Sequence, residues 1–131
     1  MSEQLPQRQV LVVDDDIDIR EALQDFLVDR GFDAVTAANG VEGLQILRSS
    51  KVLPSVILVD LMMPVMDGYT FLEELRKDPA LAEIPVAVIT AGRTIDRARI
   101  GKAAPIIPKP IDVPKLTTLL SQLPSDPLLS S

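Results

Sequence analysis

Two apolar runs in this sequence end in carboxylates: Val10-Leu-Val-Val13 leads into Asp14-Asp15-Asp16, and Val56-Ile-Leu-Val59 leads into Asp60. A carboxylate is costly to bury without a partner, so Asp60 must sit where its strand emerges, with a cation or hydrogen-bond donors to hold it. If the two runs are neighbouring parallel strands, three or four carboxylates converge at one end of a sheet. Carboxylates that close in a partly dry site repel strongly, which calls for a divalent cation. Oxygen ligands in a chain without His or Cys favour Mg²⁺, which takes one or two carboxylates, waters and a phosphate oxygen. The matching chemistry is phosphoryl transfer with a carboxylate as acceptor. Thr90, closing the apolar run 85–90, supplies a hydroxyl, and Lys109 supplies an ammonium. No general base is needed, because the nucleophile is already ionised at neutral pH.

Strand-like and helix-like segments alternate around these residues. A strand over 9–15 precedes a helix over 16–30, whose apolar residues Ile19, Leu23, Phe26 and Leu27 fall on one face. Asp18 with Glu21 matches a capping box, Asp16 is an equally good N-cap, and Gly31 is a stop. A short strand at 33–37 is followed by a second capping box, Asn39 with Glu42, opening a helix to about Ser50 with Leu44 and Leu47 inward. Gly43 inside that helix costs about 1 kcal/mol relative to Ala, so something should pack closely against it. Val56–Asp60 is a strand apolar enough to be buried on both faces.

Asp67-Gly68 reads as a turn with Gly at positive φ, leading into a helix over 69–77 with Phe71, Leu72 and Leu75 apolar. Met62, Met63 and Met66 read as core or loop filler, since a thioether is too soft for Mg²⁺. After the strand at 85–90 comes a helix over 94–102 with few apolar residues, then a short edge strand at 105–108 bounded by prolines. Asp112 caps a last helix carrying Val113, Leu116, Leu119, Leu120 and Leu123. Five strands alternating with helices imply a parallel sheet covered on both faces, with ligands bound at the C-terminal strand ends where strand order reverses. Asp14–Asp16, Asp60, Thr90 and Lys109 all fall there.

Composition narrows the class. With 131 residues, 47% of them hydrophobic, the chain is one domain able to bury a core. A net charge of −6 argues against a nucleic-acid surface. There is no cysteine framework, no signal-peptide-like apolar region and no run of membrane-spanning length, so a cytoplasmic protein without membrane or nucleic-acid partners is expected. The expected domain division is a tail at 1–8, the domain at 9–123 and a flexible tail at 124–131.

Each chemical residue also has a plainer reading. Asp14–Asp16 could only cap a helix, Asp60 could end a strand, Thr90 could be a β-former and Lys109 a solvated loop residue. Their coincidence reverses the odds, because Leu11-Val-Val-Asp-Asp15, Asp60-Leu-Met-Met-Pro64, Asp67-Gly68, Ile89-Thr-Ala91 and Pro108-Lys-Pro110 occur together in this order. In these motifs the chain resembles the receiver domains of two-component response regulators, of the single-domain type. That resemblance implies an α/β flavodoxin-like, doubly wound five-stranded parallel sheet of order 2-1-3-4-5. It implies Asp60 as phosphoacceptor, Asp14 and Asp15 with the Met62 backbone carbonyl and Asp60 around Mg²⁺, Thr90 as switch hydroxyl and Lys109 as counter-cation. The donor would be a histidine kinase or phosphotransfer protein, recognised around Ile17, Arg20 and Glu21. The chain would act as a monomer or weak dimer on a further protein target, as a shuttle, sink or regulator.

Two features depart from the family pattern. Ile106 stands where an aromatic switch residue is common, and the segment from Thr90 to Lys109 is short, with Gly101-Lys-Ala-Ala-Pro105 replacing the usual acidic run. A shortened or displaced fourth helix and altered signalling through that face are therefore expected. Met62 and Gly92, two residues beyond Asp60 and Thr90, cannot position a hydrolytic water, so slow self-dephosphorylation is expected.

Other classes fit less well. A docking module that is never phosphorylated would not need the intact acidic set. A phosphatase of the haloacid-dehalogenase type would use Asp14-x-Asp16, Thr90 and Lys109 but gives Asp60 no role, and offers only Asp112 and Asp126 as further acidic ligands. A flavin-binding fold would want a Ser/Thr/Gly-rich loop where this chain has aspartates.

Overall fold

The computed structural model describes residues 8–92, 94–101 and 104–123. Residues 1–7 of the tail expected at 1–8, the tail expected at 124–131, and Arg93, Lys102 and Ala103 lie outside the described residues. The elements are β1 (Gln9–Val13), α1 (Ile17–Asp29), β2 (Asp33–Ala37), α2 (Gly40–Ser49), β3 (Val56–Asp60), α3 (Gly68–Lys77), β4 (Val86–Thr90), α4 (Arg97–Ile100), β5 (Ile106–Pro108) and α5 (Val113–Ser121). The five strands form one parallel sheet in the order β2-β1-β3-β4-β5. The order reverses between β1 and β3, and this opens a crevice at their C-terminal ends.

Period-2 alternation divides the strand residues between two cores. Leu11, Val13, Ile57, Val59 and Val88 pack with Leu44, Leu47, Phe71, Leu72 and Leu75 of α2 and α3. Val10, Val12, Val56, Leu58, Ala87 and Ile89 pack on the other face with Leu23 and Leu27 of α1 and Leu116 and Leu120 of α5. Every residue of β3 is buried, as expected for a central parallel strand.

Most helix ends follow their sequence signals. Asn39 Oδ1 accepts from Glu42 N at 2.9 Å, while Glu42 accepts in return from the Ala38 amide. Asp112 caps α5 and Gly31 follows α1 at φ 86°. The Gly43 expectation holds: a Cβ there would lie 3.0 Å from Phe71 and 3.2 Å from Val13, so only glycine lets α2 approach so closely.

Some expectations are corrected. β1 stops at Val13 rather than Asp15, because the Asp16 amide turns back onto Asp14 Oδ1 at 2.9 Å and ends the ladder. Asp16, not Asp18, caps α1, accepting from the amides of Asp18 and Ile19. Val113 starts α5 exposed, and only Leu116 and Leu120 of that helix are buried. The helix expected over 94–102 shrinks to the single turn Arg97–Ile100. Its N-cap Asp96 makes no side-chain cap bond, Ile100 alone is buried, and Gly101 at φ 91° ends it. Side chains of α3 hold this turn instead. Arg99 pairs with Glu73 through bonds of 2.8 and 3.0 Å, and the Asp96 amide donates to the Tyr69 hydroxyl at 3.0 Å. Ile106 is half-buried against the α2–α3 core.

The left-handed turn lies elsewhere than expected. Gly68 is the first residue of α3 and is not at positive φ; Val65 is, at 69°. A β-branched residue there costs roughly 1–2 kcal/mol, and Val65, 81% exposed, recovers little of this by packing. Val65→Asn, which tolerates that region better, is expected to add about 1 kcal/mol of stability. Urea unfolding followed by circular dichroism should show a higher midpoint at unchanged slope; an unchanged midpoint would mean that the loop relaxes without cost.

Candidate phosphoacceptor site

Strand register builds the site. Val13 pairs with Val59, Asp60 with Ile89 and Thr90 with Pro108, so Asp14, Asp60, Thr90 and Lys109 come level at adjacent C-terminal strand ends. The Lys109 amide extends the ladder to Thr90 O at 2.9 Å. Among the described residues Asp14, Asp60 and Thr90 are the buried polar or charged ones, while Asp15 is exposed.

Lys109 Nζ donates to Asp60 Oδ2 at 3.1 Å and lies 2.8 Å from Asp14 Oδ2. The latter contact falls outside hydrogen-bonding geometry, which leaves Asp14 Oδ2 buried with no hydrogen-bond donor. Asp60 Oδ1 accepts from the Met62 amide at 3.1 Å. Met62 itself points to solvent, and Met63 and Met66 pack against the α2–α3 core. Thr90 Oγ1 accepts from the Gly92 amide at 2.9 Å, so its proton is free for another acceptor. A Cβ at residue 92 would stand 3.2 Å from that hydroxyl.

The loop after β3 is drawn tight by Gly68, whose amide donates to Leu61 O at 3.0 Å. Asp67 caps α3 by accepting from Thr70 N at 2.8 Å. Sequence reasoning identified these residues but missed an internal role for Arg20. Its guanidinium donates to the Asp14 carbonyl at 2.8 Å and it is half-buried, whereas Ile17 and Glu21 are exposed. A basic residue in the first turn of a helix, where it opposes the dipole, was the available signal.

A profile described as "Response regulator receiver domain" matches residues 10–121. The chain belongs to that family. Similar proteins include the probable transcriptional regulator ycf29 of Porphyra purpurea, 37% identical over 118 residues, 87% of this chain and 55% of that protein. The response regulator Rre1 of Synechocystis is also 37% identical over 118 residues, covering 87% of this chain and 50% of that protein. The sensor histidine kinase CheAY of Helicobacter pylori is 40% identical over 91 residues, 69% of this chain and 11% of that protein. The receiver chain thus spans about half the length, or less, of these relatives. Among solved structures, the Vibrio cholerae chemotaxis protein CheY4 superposes with a TM-score of 0.79 at 30% identity, covering 91% of this chain and 100% of that one. A response regulator receiver protein from Pseudomonas putida gives 0.81 at 28% identity, covering 91% and 99%. Receiver domains are signalling modules. Among the described residues no helix is long and apolar enough to cross a membrane.

In this receiver domain, oxygens of Asp14, Asp15 and Asp60 all lie within 4.8 Å of one another. With Asp14 Oδ2 held by the Lys109 ion pair and by no hydrogen bond, this all-oxygen set fits a small hard cation. Burial pushes the Asp60 carboxyl above its usual 3.8, outweighing the Met62 amide and Lys109, which favour the charge. For Lys109, burial acts to lower the value, but Asp14 and Asp60 outweigh it and raise the ammonium above its usual 10.5.

The Asp60 shift sets a pH dependence. Between 3.8 and the raised value, the native receiver binds more protons than the unfolded chain, so this group's contribution to stability falls as pH rises through that window. Without metal, Asp60→Asn should therefore be more stable than the wild type at neutral pH, with the gap closing toward acid. Thermal melts in chelator at a series of pH values check this, and a less stable variant at neutral pH would show that the Lys109 contact dominates burial.

Proposed function

We propose that the receiver is a phosphoacceptor, modified at Asp60 in a Mg²⁺-dependent reaction by a phosphohistidine of a histidine kinase or phosphotransfer protein. The observation that carries this reading is a buried, Lys109-bound Asp60 whose carboxylate oxygen lies within 4.8 Å of oxygens of Asp14 and Asp15. Asp14, Asp15, Asp60 and the Met62 carbonyl would hold the ion, which when bound neutralises phosphoryl oxygens. The Asp60 carboxylate attacks phosphorus; the phosphorus–nitrogen bond to the donor imidazole breaks as the phosphorus–oxygen bond forms. Lys109 pairs with the phosphoryl charge, and the Thr90 hydroxyl donates a hydrogen bond to a phosphoryl oxygen.

The single turn of α4 and Ile106 support altered signalling through the α4–β5 face. The domain spans 9–123 with tails at 1–8 and 124–131, and works in the cytoplasm as a monomer or weak dimer, stand-alone or as a shuttle, on a protein target rather than on nucleic acid or membrane.

Mass measurement after incubation with Mg²⁺ and acetyl phosphate tests the reading. One base-labile phosphoryl adduct is expected, absent in chelator and in Asp60→Asn. No adduct from acetyl phosphate or from a histidine kinase would favour a docking module. Phosphate release from a monoester that survives Asp60→Asn but is lost in Asp14→Asn would indicate a phosphatase.

A further inference from the structure

Asp14 has a partner or close contact on each of its polar groups. Its amide donates to Ala37 O at 3.1 Å, Oδ1 accepts from the Asp16 amide at 2.9 Å, and Oδ2 faces Lys109. Its carbonyl accepts from Arg20 Nη1 at 2.8 Å. That carbonyl belongs to the peptide linking Asp14 to Asp15, so its direction fixes the orientation of the plane from which Asp15 departs. Asp14 is fully buried, so a carbonyl that lost Arg20 would have to turn toward another donor or toward water, carrying Asp15 with it. Asp15 is exposed, and its carboxylate makes no hydrogen bond or ion pair among the described residues, so backbone direction governs where that carboxylate points.

Arg20 has no ion-pair partner among the described residues, and in the first turn of α1 its charge opposes the helix dipole. Neither feature suits a residue kept for the stability of the helix. We infer that Arg20 is a positioning residue that sets the Asp14–Asp15 peptide plane and so aims the Asp15 carboxylate at the cation position shared with Asp60. The inference rests on the proposed Mg²⁺ site.

Two roles for Arg20 predict opposite signs. As a nearby charge alone, Arg20 repels the cation, and its removal should tighten Mg²⁺ binding. As a positioning group, its removal should weaken binding, by about 10-fold or more, as for outer-shell partners of metal ligands. Calorimetric titration of metal-free protein with MgCl₂ separates them, with each variant held well below its own melting temperature. Arg20→Met is expected to raise the dissociation constant about tenfold and Arg20→Lys, which keeps the charge and one reachable donor, by less. Asp15→Asn should weaken binding too, and adding Arg20→Met to it should cost little more, because both act through one carboxylate.

Unchanged or tighter binding by Arg20→Met, with wild-type binding intact, overturns the inference alone. A wild type that does not bind Mg²⁺ overturns both the site and the inference. If Arg20→Met does not fold, the Lys variant and its coupling to Asp15→Asn decide: equal affinity of Arg20→Lys and wild type, or additive losses with Asp15→Asn, overturns the inference.

Discussion

Lys109→Met should cost about 3–5 kcal/mol of stability at neutral pH without Mg²⁺, the usual loss when one partner of a buried ion pair is removed. The Lys109 side chain is 16% exposed, Asp60 is 5% and Asp14 is 0%, so water screens the three charges little. Methionine fills the volume of the lysine stem, so the loss comes from two buried carboxylates left facing each other. Mg²⁺ should restore part of the loss in the variant, and Asp14→Asn should restore part of it without metal. Urea unfolding followed by circular dichroism measures this, and a loss below about 1 kcal/mol would place the pair with weak surface ion pairs. A second signature lies at high pH. The raised Lys109 value means that the ammonium's contribution is whole below 10.5 and fades as pH climbs through the folded value. The wild type should lose stability over that range through a limb that Lys109→Met lacks.

Gly68→Ala should damage both stability and chemistry. A Cβ on residue 68 would stand 2.4 Å from Asp60 O, 2.7 Å from Leu61 Cα and 3.0 Å from Asp60 C. These are backbone atoms, with no flexible side chain to swing aside. The first turn of α3 must then retreat from the end of β3 and weaken the Gly68 amide bond to Leu61 O. Overpacking of this kind costs about 3 kcal/mol where nothing can yield. Asp60 is the residue displaced, so adduct formation with acetyl phosphate should fall along with the urea midpoint. Gly31→Ala makes a useful comparison: its cost comes from φ of 86° in open space, and it should lower stability while sparing the adduct. Equal adduct yields in Gly68→Ala and wild type would show that the β3–α3 loop absorbs the methyl group without moving Asp60.

Much of this receiver was legible in the amino-acid sequence. The β3 run ending at Asp60, the Asn39–Glu42 capping box, the Gly31 stop and the meeting of Asp14, Asp60, Thr90 and Lys109 all follow from short-range signals. Apolar alternation sets which residues are buried, caps set where helices begin, and parallel pairing brings strand ends level whatever the loops do. The shortened α4 could also be anticipated, since a segment with so few apolar residues has little to bury.

Tertiary structure alone placed the left-handed turn at Val65, a residue type that disfavours it, and left Gly68 in ordinary helical backbone. The requirement for glycine at 68 arises from the Asp60 carbonyl, eight residues earlier and close only once α3 has packed against β3. Arg20 likewise reads as a surface residue until the fold offers it the Asp14 carbonyl. At Gly68 the deciding partner lies on another element, so its distance is set by packing rather than by the local chain, and a pattern of nearest neighbours carries no record of it.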